Sequence, residues 1–191
     1  HGLRAWFELV AEASDLPVVL YDIPARAGVG LSVEGLAALA AHDNIVGVKL
    51  ARPDLIHASR VLEACGRDFG VYSGVEALCY PMLAIGGSGH VSATGNLFPH
   101  ELAELATSVF RGDHRAAVAI HYRLLAVNEA IFFATNPIPI KAMLAIAGLA
   151  TAEVRPPLAP ASAELRARLE TVLAGYDIVR SIDLEVRDGV V

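Results

Sequence analysis

The stretch NIVGVKLA, Asn44 to Ala51, has the composition of a buried strand that ends on a lysine. Its core, Ile45 to Val48, is apolar and rich in β-branched residues, which is typical of a parallel strand covered on both faces. Lys49 follows directly, although an ammonium group without a partner is costly to bury. The stretch therefore predicts a parallel sheet and raises the question of what Lys49 does there.

Lysine is rare in this chain, which makes Lys49 a candidate nucleophile. Of the 15 basic residues, only Lys49 and Lys141 are lysines and the other 13 are arginines. Arginine keeps its proton in proteins, whereas a desolvated lysine can become a neutral amine that attacks a carbonyl carbon. Position and rarity alone are equally compatible with a lysine that extends its ammonium group from the strand end to solvent.

The composition argues against several classes of protein. Hydrophobic residues make up 54% of the 191 residues and charged residues 19%, which is typical of a globular chain with a sizeable core. The formal net charge is -6, which argues against nucleic acid as a partner. No apolar run reaches the ~18 residues needed to cross a bilayer. We therefore expect no membrane partner. Cys65 and Cys79 lack metal-type spacing, so we expect a reduced, cytoplasmic protein.

Helices and strands alternate around the Lys49 strand. Helical spacing of apolar residues predicts helices at 2–13, 32–42, 54–65 and 76–85. Three further strands are predicted at Leu16–Ile23, Phe69–Gly74 and His90–Thr94. Alternation at this spacing indicates βα units around a parallel sheet, and therefore the α/β class. Four such units are about half of a (β/α)₈ barrel.

The pattern becomes purely helical from Pro99 onward. Helices are predicted at 100–111, 114–134, 138–147 and 161–174. We therefore divide the chain into a half barrel at 1–98, a helical appendage at 99–174 and an unassigned tail at 175–191. A half barrel leaves two sheet edges unpaired, and the sequence begins inside a helix without a methionine, so we expect that an N-terminal portion is missing.

Reactive groups of a βα barrel lie at the carboxyl ends of its strands. The strand ends of this chain carry Tyr21, Arg26 in the segment that follows, Lys49, and Gly74 with Glu76. A lysine can form an imine with a ketone, a tyrosine can move protons, and an arginine can hold a carboxylate in its fork. Arg26 is the only non-lysine basic residue that we assign to a strand end.

Five motifs in the same order and spacing resemble the dihydrodipicolinate synthase and N-acetylneuraminate lyase family. They are YDIPARAG (Tyr21 to Gly28), NIVGVKLA, YSGVEAL (Tyr72 to Leu78), GGSGHVSATGN (Gly86 to Asn96) and TNPIPIK (Thr135 to Lys141). The resemblance extends from residue 1 to about residue 174, and it implies the last four βα units of a (β/α)₈ barrel followed by a C-terminal helical appendage. It also implies a class I lyase or aldolase that forms a Schiff base with pyruvate and needs no cofactor.

The resemblance assigns roles to individual residues. Lys49 matches the Schiff-base lysine, and Tyr21 matches the tyrosine that shuttles protons to and from bound pyruvate. Arg26 matches the arginine that grips the carboxylate of the aldehyde partner in the synthase branch. Gly74 and Val91 match positions whose backbone carbonyls line the pocket. No metal site is expected, because the seven histidines show no metal-ligand pattern.

Departures from the family pattern leave the second substrate open. Asp22 stands where the family often has asparagine, GVE occupies 74–76, and LARPD follows the position of the lysine. Arg26 favours 4-hydroxy-tetrahydrodipicolinate synthase, which condenses pyruvate with aspartate semialdehyde in lysine biosynthesis. A related 4-hydroxy-2-oxo acid aldolase, an N-acetylneuraminate lyase-like enzyme and a catalytically silent oxo-acid-binding barrel remain alternatives.

Two features of the family have no counterpart in this sequence. Its pyruvate-carboxylate loop is absent from this sequence, as is a second tyrosine that arrives across a subunit interface. The resemblance implies a homotetramer. For the present chain alone we expect little or no activity.

Overall fold

Four parallel strands form the sheet that carries the predicted strand-end residues. The computed structural model describes residues 2–176 and 178, and its strands are β1 (Val18–Asp22), β2 (Ile45–Leu50), β3 (Gly70–Ser73) and β4 (Gly89–His90). Their order in the sheet is the order in the sequence. Sequential parallel strands joined through helices are the arrangement of a βα barrel wall, which confirms the predicted fold class.

Helices connect the strands and continue beyond them. They are α1 (Gly2–Glu12), α2 (Pro24–Ala27), α3 (Val33–Ala40), α4 (Leu55–Cys65), α5 (Cys79–Ala84), α6 (Pro99–Phe110), α7 (His114–Ala130), α8 (Ile138–Ile146) and α9 (Ala163–Leu173). Short 3₁₀ turns lie at Glu76–Leu78 and Thr94–Asn96. Across the described part of the chain, no helix has both the length and the apolar character needed to cross a membrane.

Side-chain caps fix where several helices begin. Ser32 Oγ accepts a hydrogen bond from the Gly35 amide at 3.0 Å, and Asp54 Oδ1 accepts one from the His57 amide at 2.8 Å. Each cap satisfies an amide that has no partner inside the first helical turn. Ser32 and Asp54 are therefore the N-caps of α3 and α4.

The fourth strand differs from its prediction. The sequence predicts His90–Thr94, but β4 comprises only Gly89–His90 and the chain then turns into a 3₁₀ helix. Ala93 has helical backbone angles, and its carbonyl accepts hydrogen bonds from the backbone and side-chain amides of Asn96. These local hydrogen bonds prevent the apolar pattern of 91–94 from extending the strand.

Two helices also differ from the sequence prediction. The helix predicted at 114–134 ends at Ala130, because Phe132 and Phe133 donate to carbonyls three residues earlier and so tighten the last turn. Helix α2 is not predicted from the sequence, because its four residues are too few to show a helical period. The rest of the predicted tail, apart from 175, 176 and 178, lies outside the described residues.

The chain packs into two compact units. Within the described residues, one unit holds 2–92 and 101–123, and the other holds 93–100 and the residues from 124 onward. The core of the first unit lies between the sheet and α1, α3 and α4, and includes Leu20, Leu36 and Val48. In the second unit, α8 packs against α9 and buries Met143 and Leu169. The sequence-based division at residue 98 stays a prediction.

The two faces of the sheet have different surroundings. Leu20 of β1, Val48 of β2 and Val71 of β3 are at most 1% exposed and face the helices. Tyr21 and Lys49 are partners in the register of β1 and β2, and they lie on the opposite face. This second face carries the candidate site.

Candidate functional site

Lys49 and Tyr21 meet at the carboxyl ends of two adjacent strands. The Nζ atom of Lys49 lies over the Tyr21 ring, 4.4 Å from its centroid. Parallel pairing of β1 with β2 puts the two residues side by side, because they are direct register partners. Their side chains therefore lie within reach of each other. An ammonium group over an aromatic face is attracted by the ring quadrupole, which helps to hold the lysine in place.

Gly74 forms one wall beside Lys49. Its amide donates to the Leu50 carbonyl at 2.8 Å, which continues the pairing of β3 with β2 past Ser73. A Cβ atom at position 74 would lie 2.7 Å from Cε of Lys49 and 3.1 Å from Cβ of Ala51. Only a glycine leaves room for the lysine stem in its present position.

A buried ion pair lies directly behind these residues. Asp22, the neighbour of Tyr21, has a side chain that is 1% exposed, and its Oδ2 is 2.6 Å from Nη2 of Arg52. Nε of Arg52 donates to the same oxygen at 2.8 Å. Arg52 follows β2, so the expectation that Arg26 is the only non-lysine basic group at a strand end is wrong.

Sequence reasoning missed this pair because its members are 30 positions apart. Each one is separately a departure from the family pattern, Asp22 within YDIPARAG and Arg52 within LARPD. Those two coincident departures, a new carboxylate and a new guanidinium, were the available signal. The register of β1 against β2 brings the two strand ends together, and the side-chain contact itself is seen only in the structure.

The other two predicted binding residues are exposed. Arg26 lies in the last turn of α2, in the segment that follows β1. Val91 is 48% exposed, and its amide donates to the Ser73 carbonyl at 2.9 Å, one residue past the end of β4. Both residues therefore lie beyond the carboxyl end of a strand, in the same unit as Lys49. Their roles in substrate binding stay predictions.

A buried carboxylate connects the ends of β3 and β4. Glu76 is 3% exposed, and its side chain accepts a hydrogen bond from Ser92 Oγ. Burial, assisted by the charge of Glu76, raises the pKa of the Cys79 thiol to about 12. Burial lowers the pKa of His90, and Glu76 opposes that shift. The Cys79 thiol is therefore not a nucleophile at neutral pH.

A cavity of about 590 Å³ lies at the end of the sheet where the strands begin. Its lining includes Phe69 and Ser88, which precede β3 and β4, together with Arg67 and Gly86. Catalytic groups of βα barrels lie at the carboxyl ends of strands, whereas this cavity lies at the amino ends. In the described ranges, no cluster of His, Cys, Asp and Glu is arranged to hold a metal ion.

Lys49 and Tyr21 place an amine beside a phenol at the carboxyl ends of β2 and β1. Tyr21 is 48% exposed, so a small carbonyl compound has access to both groups. An amine in that position can attack a ketone, and a neighbouring phenol can exchange protons with the resulting adduct. This arrangement can support imine chemistry.

Comparison with known proteins gives the same fold and one consistent family. The 4-hydroxy-tetrahydrodipicolinate synthase of Trichlorobacter lovleyi is 38% identical over 178 residues, which are 93% of this chain and 61% of that protein. The crystal structure of the dihydrodipicolinate synthase from Aquifex aeolicus superposes with a TM-score of 0.89 at 36% identity, over 93% of this chain and 61% of the other.

A third comparison adds a bound ligand. The chloride-inhibited dihydrodipicolinate synthase from Acinetobacter baumannii, in complex with pyruvate, superposes with a TM-score of 0.90 at 31% identity, over 93% of this chain and 61% of the other. The present chain thus spans about three fifths of the length of the relatives that it matches. A family model described as the Dihydrodipicolinate synthetase family matches residues 1–175, and the chain belongs to this family.

Proposed function

We propose that the full-length protein is a pyruvate-dependent Schiff-base lyase, specifically a 4-hydroxy-tetrahydrodipicolinate synthase that acts in lysine biosynthesis. The observation that carries the proposal is the 4.4 Å distance between Lys49 Nζ and the Tyr21 ring centroid at adjacent strand ends. The name of the T. lovleyi relative and the pyruvate complex of the A. baumannii structure support the same reaction and the same first substrate.

In this proposal Lys49 and Tyr21 share the first half-reaction. The neutral amine of Lys49 attacks the keto carbon of pyruvate, and loss of water from the carbinolamine gives the imine. Loss of a proton from the methyl group then gives an enamine, which attacks the aldehyde carbon of the second substrate. Tyr21 delivers and accepts the protons of these steps. Backbone carbonyls at Gly74 and Val91 line the pyruvate pocket.

The chain contains a matched pair of lysines for a direct test. Borohydride treatment of the full-length protein with pyruvate should trap a stable adduct that mass spectrometry assigns to Lys49. Lys49→Arg should give no adduct and no turnover, because a guanidinium keeps the charge but does not form the imine. Lys141→Arg removes the only other lysine and should leave the adduct intact. An adduct that persists in Lys49→Arg would refute the assignment.

The identity of the aldehyde is proposed from Arg26. A guanidinium binds a carboxylate through two parallel hydrogen bonds, and aspartate semialdehyde carries a carboxylate at the required end. Arg26 lies in α2, directly after the strand that carries Tyr21. A polyol such as the cleavage product of a sialic acid offers no carboxylate to this fork.

Substitution of Arg26 should separate the two half-reactions. Arg26→Ala should leave the pyruvate adduct unchanged and lower kcat/KM for aspartate semialdehyde about ten- to a hundredfold, the equivalent of ~1.5–3 kcal/mol for one charge-assisted pair. Equal use of aspartate semialdehyde by parent and variant would exclude Arg26 as the carboxylate-binding residue. A parent that forms the adduct but does not use aspartate semialdehyde would instead favour the related 4-hydroxy-2-oxo acid aldolase or the N-acetylneuraminate lyase-like enzyme.

The assembly and cellular location are part of the same proposal. We infer a homotetramer in the cytoplasm from the family resemblance, and the two free cysteines of the described chain agree with a reducing compartment. Sedimentation or light scattering of the full-length protein tests the assembly, and a monomer at micromolar concentration would overturn it.

A further inference from the structure

We propose that Asp22 and Arg52 form a positioning pair that holds the Arg26 segment in place and thereby sets the affinity for the aldehyde. The inference rests on the proposed function, because Arg26 is the group through which the pair would act. Neither member is assigned a role by the family resemblance. Both lie next to proposed catalytic residues in the sequence, Asp22 directly after Tyr21 and Arg52 three positions after Lys49.

Asp22 closes the Arg26 segment into a loop. The chain leaves β1 at Asp22, turns through α2 and returns at Leu31, whose amide donates to Asp22 Oδ1 at 3.0 Å. The backbone amide of Ala51 donates to the Asp22 carbonyl at 2.9 Å, which ties the same residue to the end of β2. Asp22 therefore anchors both ends of residues 23–31 to the strand edge.

Arg52 locks the closed loop from the other side. Its Nε and Nη2 atoms both approach Oδ2 of Asp22, and Nη2 also donates to the Leu31 carbonyl at 3.3 Å. A Cβ atom at Gly30 would collide with Nη2 of Arg52, so the loop passes the guanidinium at the distance that only a glycine permits. Arg52 thus bridges a carboxylate and a backbone carbonyl at the two ends of one loop.

The pair lies away from the reacting atoms. Asp22 shares the buried face of β1 with Leu20, whereas Tyr21 points from the opposite face. The side-chain contacts of Asp22 and Arg52 go to the loop and to each other rather than to Lys49. Their effect on the reaction would therefore pass through the position of Arg26, which the loop carries.

A first experiment measures steady-state kinetics of the full-length protein with pyruvate and aspartate semialdehyde. Arg52→Met removes the contacts of the guanidinium with Asp22 and with the Leu31 carbonyl. It should raise KM for the aldehyde about tenfold, which is within the roughly hundredfold that a misplacement of ~1 Å can cost. The KM for pyruvate, the borohydride adduct at Lys49 and kcat should stay within about twofold. Arg67→Met, an exposed arginine on another loop, is the matched control and should change neither KM.

Two further variants guard against a simple folding defect. Arg52→Met leaves the Asp22 carboxylate buried, whereas Asp22→Asn with Arg52→Met leaves no buried charge and should show the same rise in KM with a normal melting temperature. Gly30→Ala keeps both charges but displaces the guanidinium, and should shift KM in the same direction.

The Arg26→Ala background decides between positioning and a general effect. If the pair acts through Arg26, Arg52→Met should add less than twofold to the KM of Arg26→Ala, because the group being positioned is gone. A tenfold rise in both backgrounds would overturn the inference while leaving the proposed function standing. Absence of a pyruvate adduct in the parent protein would overturn both.

Discussion

Gly74 defines the position of the Lys49 amine by the absence of a side chain. Its Cα lies so close to the lysine stem that an added methyl group would meet Cε at 2.7 Å. The same methyl group would lie 3.1 Å from the Leu50 carbonyl oxygen, which belongs to the backbone and cannot swing aside. The lysine end is the more mobile of the two, so a substitution should displace the amine before it disturbs the strand.

Gly74→Ala should therefore damage the reaction more than the fold. We expect the rate of borohydride trapping with pyruvate to fall about ten- to a hundredfold, the range that misplacing a reacting group by ~1 Å can cost. Gly2→Ala is the control, because a Cβ there meets nothing within 4 Å. Unchanged trapping in Gly74→Ala would show that the Lys49 stem has another equally productive position.

At the residue scale, the sequence predicts the amine and the phenol but not the ion pair. Lys49 stands out because lysine is rare in the chain and follows an apolar run, and both signals are local. The functional interpretation of Tyr21 depends on the register that pairs it with Lys49. The partnership of Asp22 and Arg52 depends on where a loop returns after nine residues, which no local pattern contains.

At the scale of secondary-structure elements, helix starts are predictable where a polar side chain caps them. Ser162 Oγ accepts from the Leu165 amide at 3.1 Å and begins α9, close to the start predicted at 161. Length limits the prediction elsewhere, because α2 has four residues and β4 has two. Neither is long enough to establish a period, and local hydrogen bonds decide their ends.

The α9 cap should contribute measurably to stability. Ser162→Ala should lower the free energy of unfolding by about 1 kcal/mol, because the Leu165 amide loses its partner. Ser59→Ala is the matched control, since Ser59 is exposed inside α4 and donates to the Leu55 carbonyl of its own helix. That exchange should be neutral or slightly stabilising. Denaturant unfolding of the two variants should separate them, and equal midpoints would contradict the cap.

At the scale of the whole molecule, partly buried histidines make stability depend on pH. Burial lowers the pKa of His90 and of His121, and burial together with the charge of Arg52 lowers that of His57. Unfolding restores an ordinary histidine pKa of about 6.5. Between that pH and the lowered pKa values of the folded state, the unfolded chain therefore binds more protons than the folded chain, and stability should fall as the pH drops through this range.

His90 offers the clearest test of this trend, because its Nδ1 is buried and has no hydrogen-bond partner among the described residues. His90→Gln should reduce the loss of unfolding free energy between pH 7.5 and pH 5.5. The exposed His100→Gln serves as the control and should retain the pH dependence of the parent. A pH profile in His90→Gln that matches the parent would mean that the trend arises elsewhere.

The unequal exposure of Asp22 and Arg52 has a consequence for how this loop can evolve. The carboxylate side chain is 1% exposed, whereas the arginine side chain is 20% exposed. If Asp22 changes first to asparagine, Arg52 still donates to the Leu31 carbonyl and is partly exposed to solvent. The intermediate should therefore lose little stability. If Arg52 changes first, the buried Asp22 carboxylate loses its cationic partner, and the loss of folding free energy is much larger. Lineages that abandon the pair should therefore lose the acid before the base, and sequences with aspartate at position 22 but no cation at position 52 should be the rarest of the four combinations.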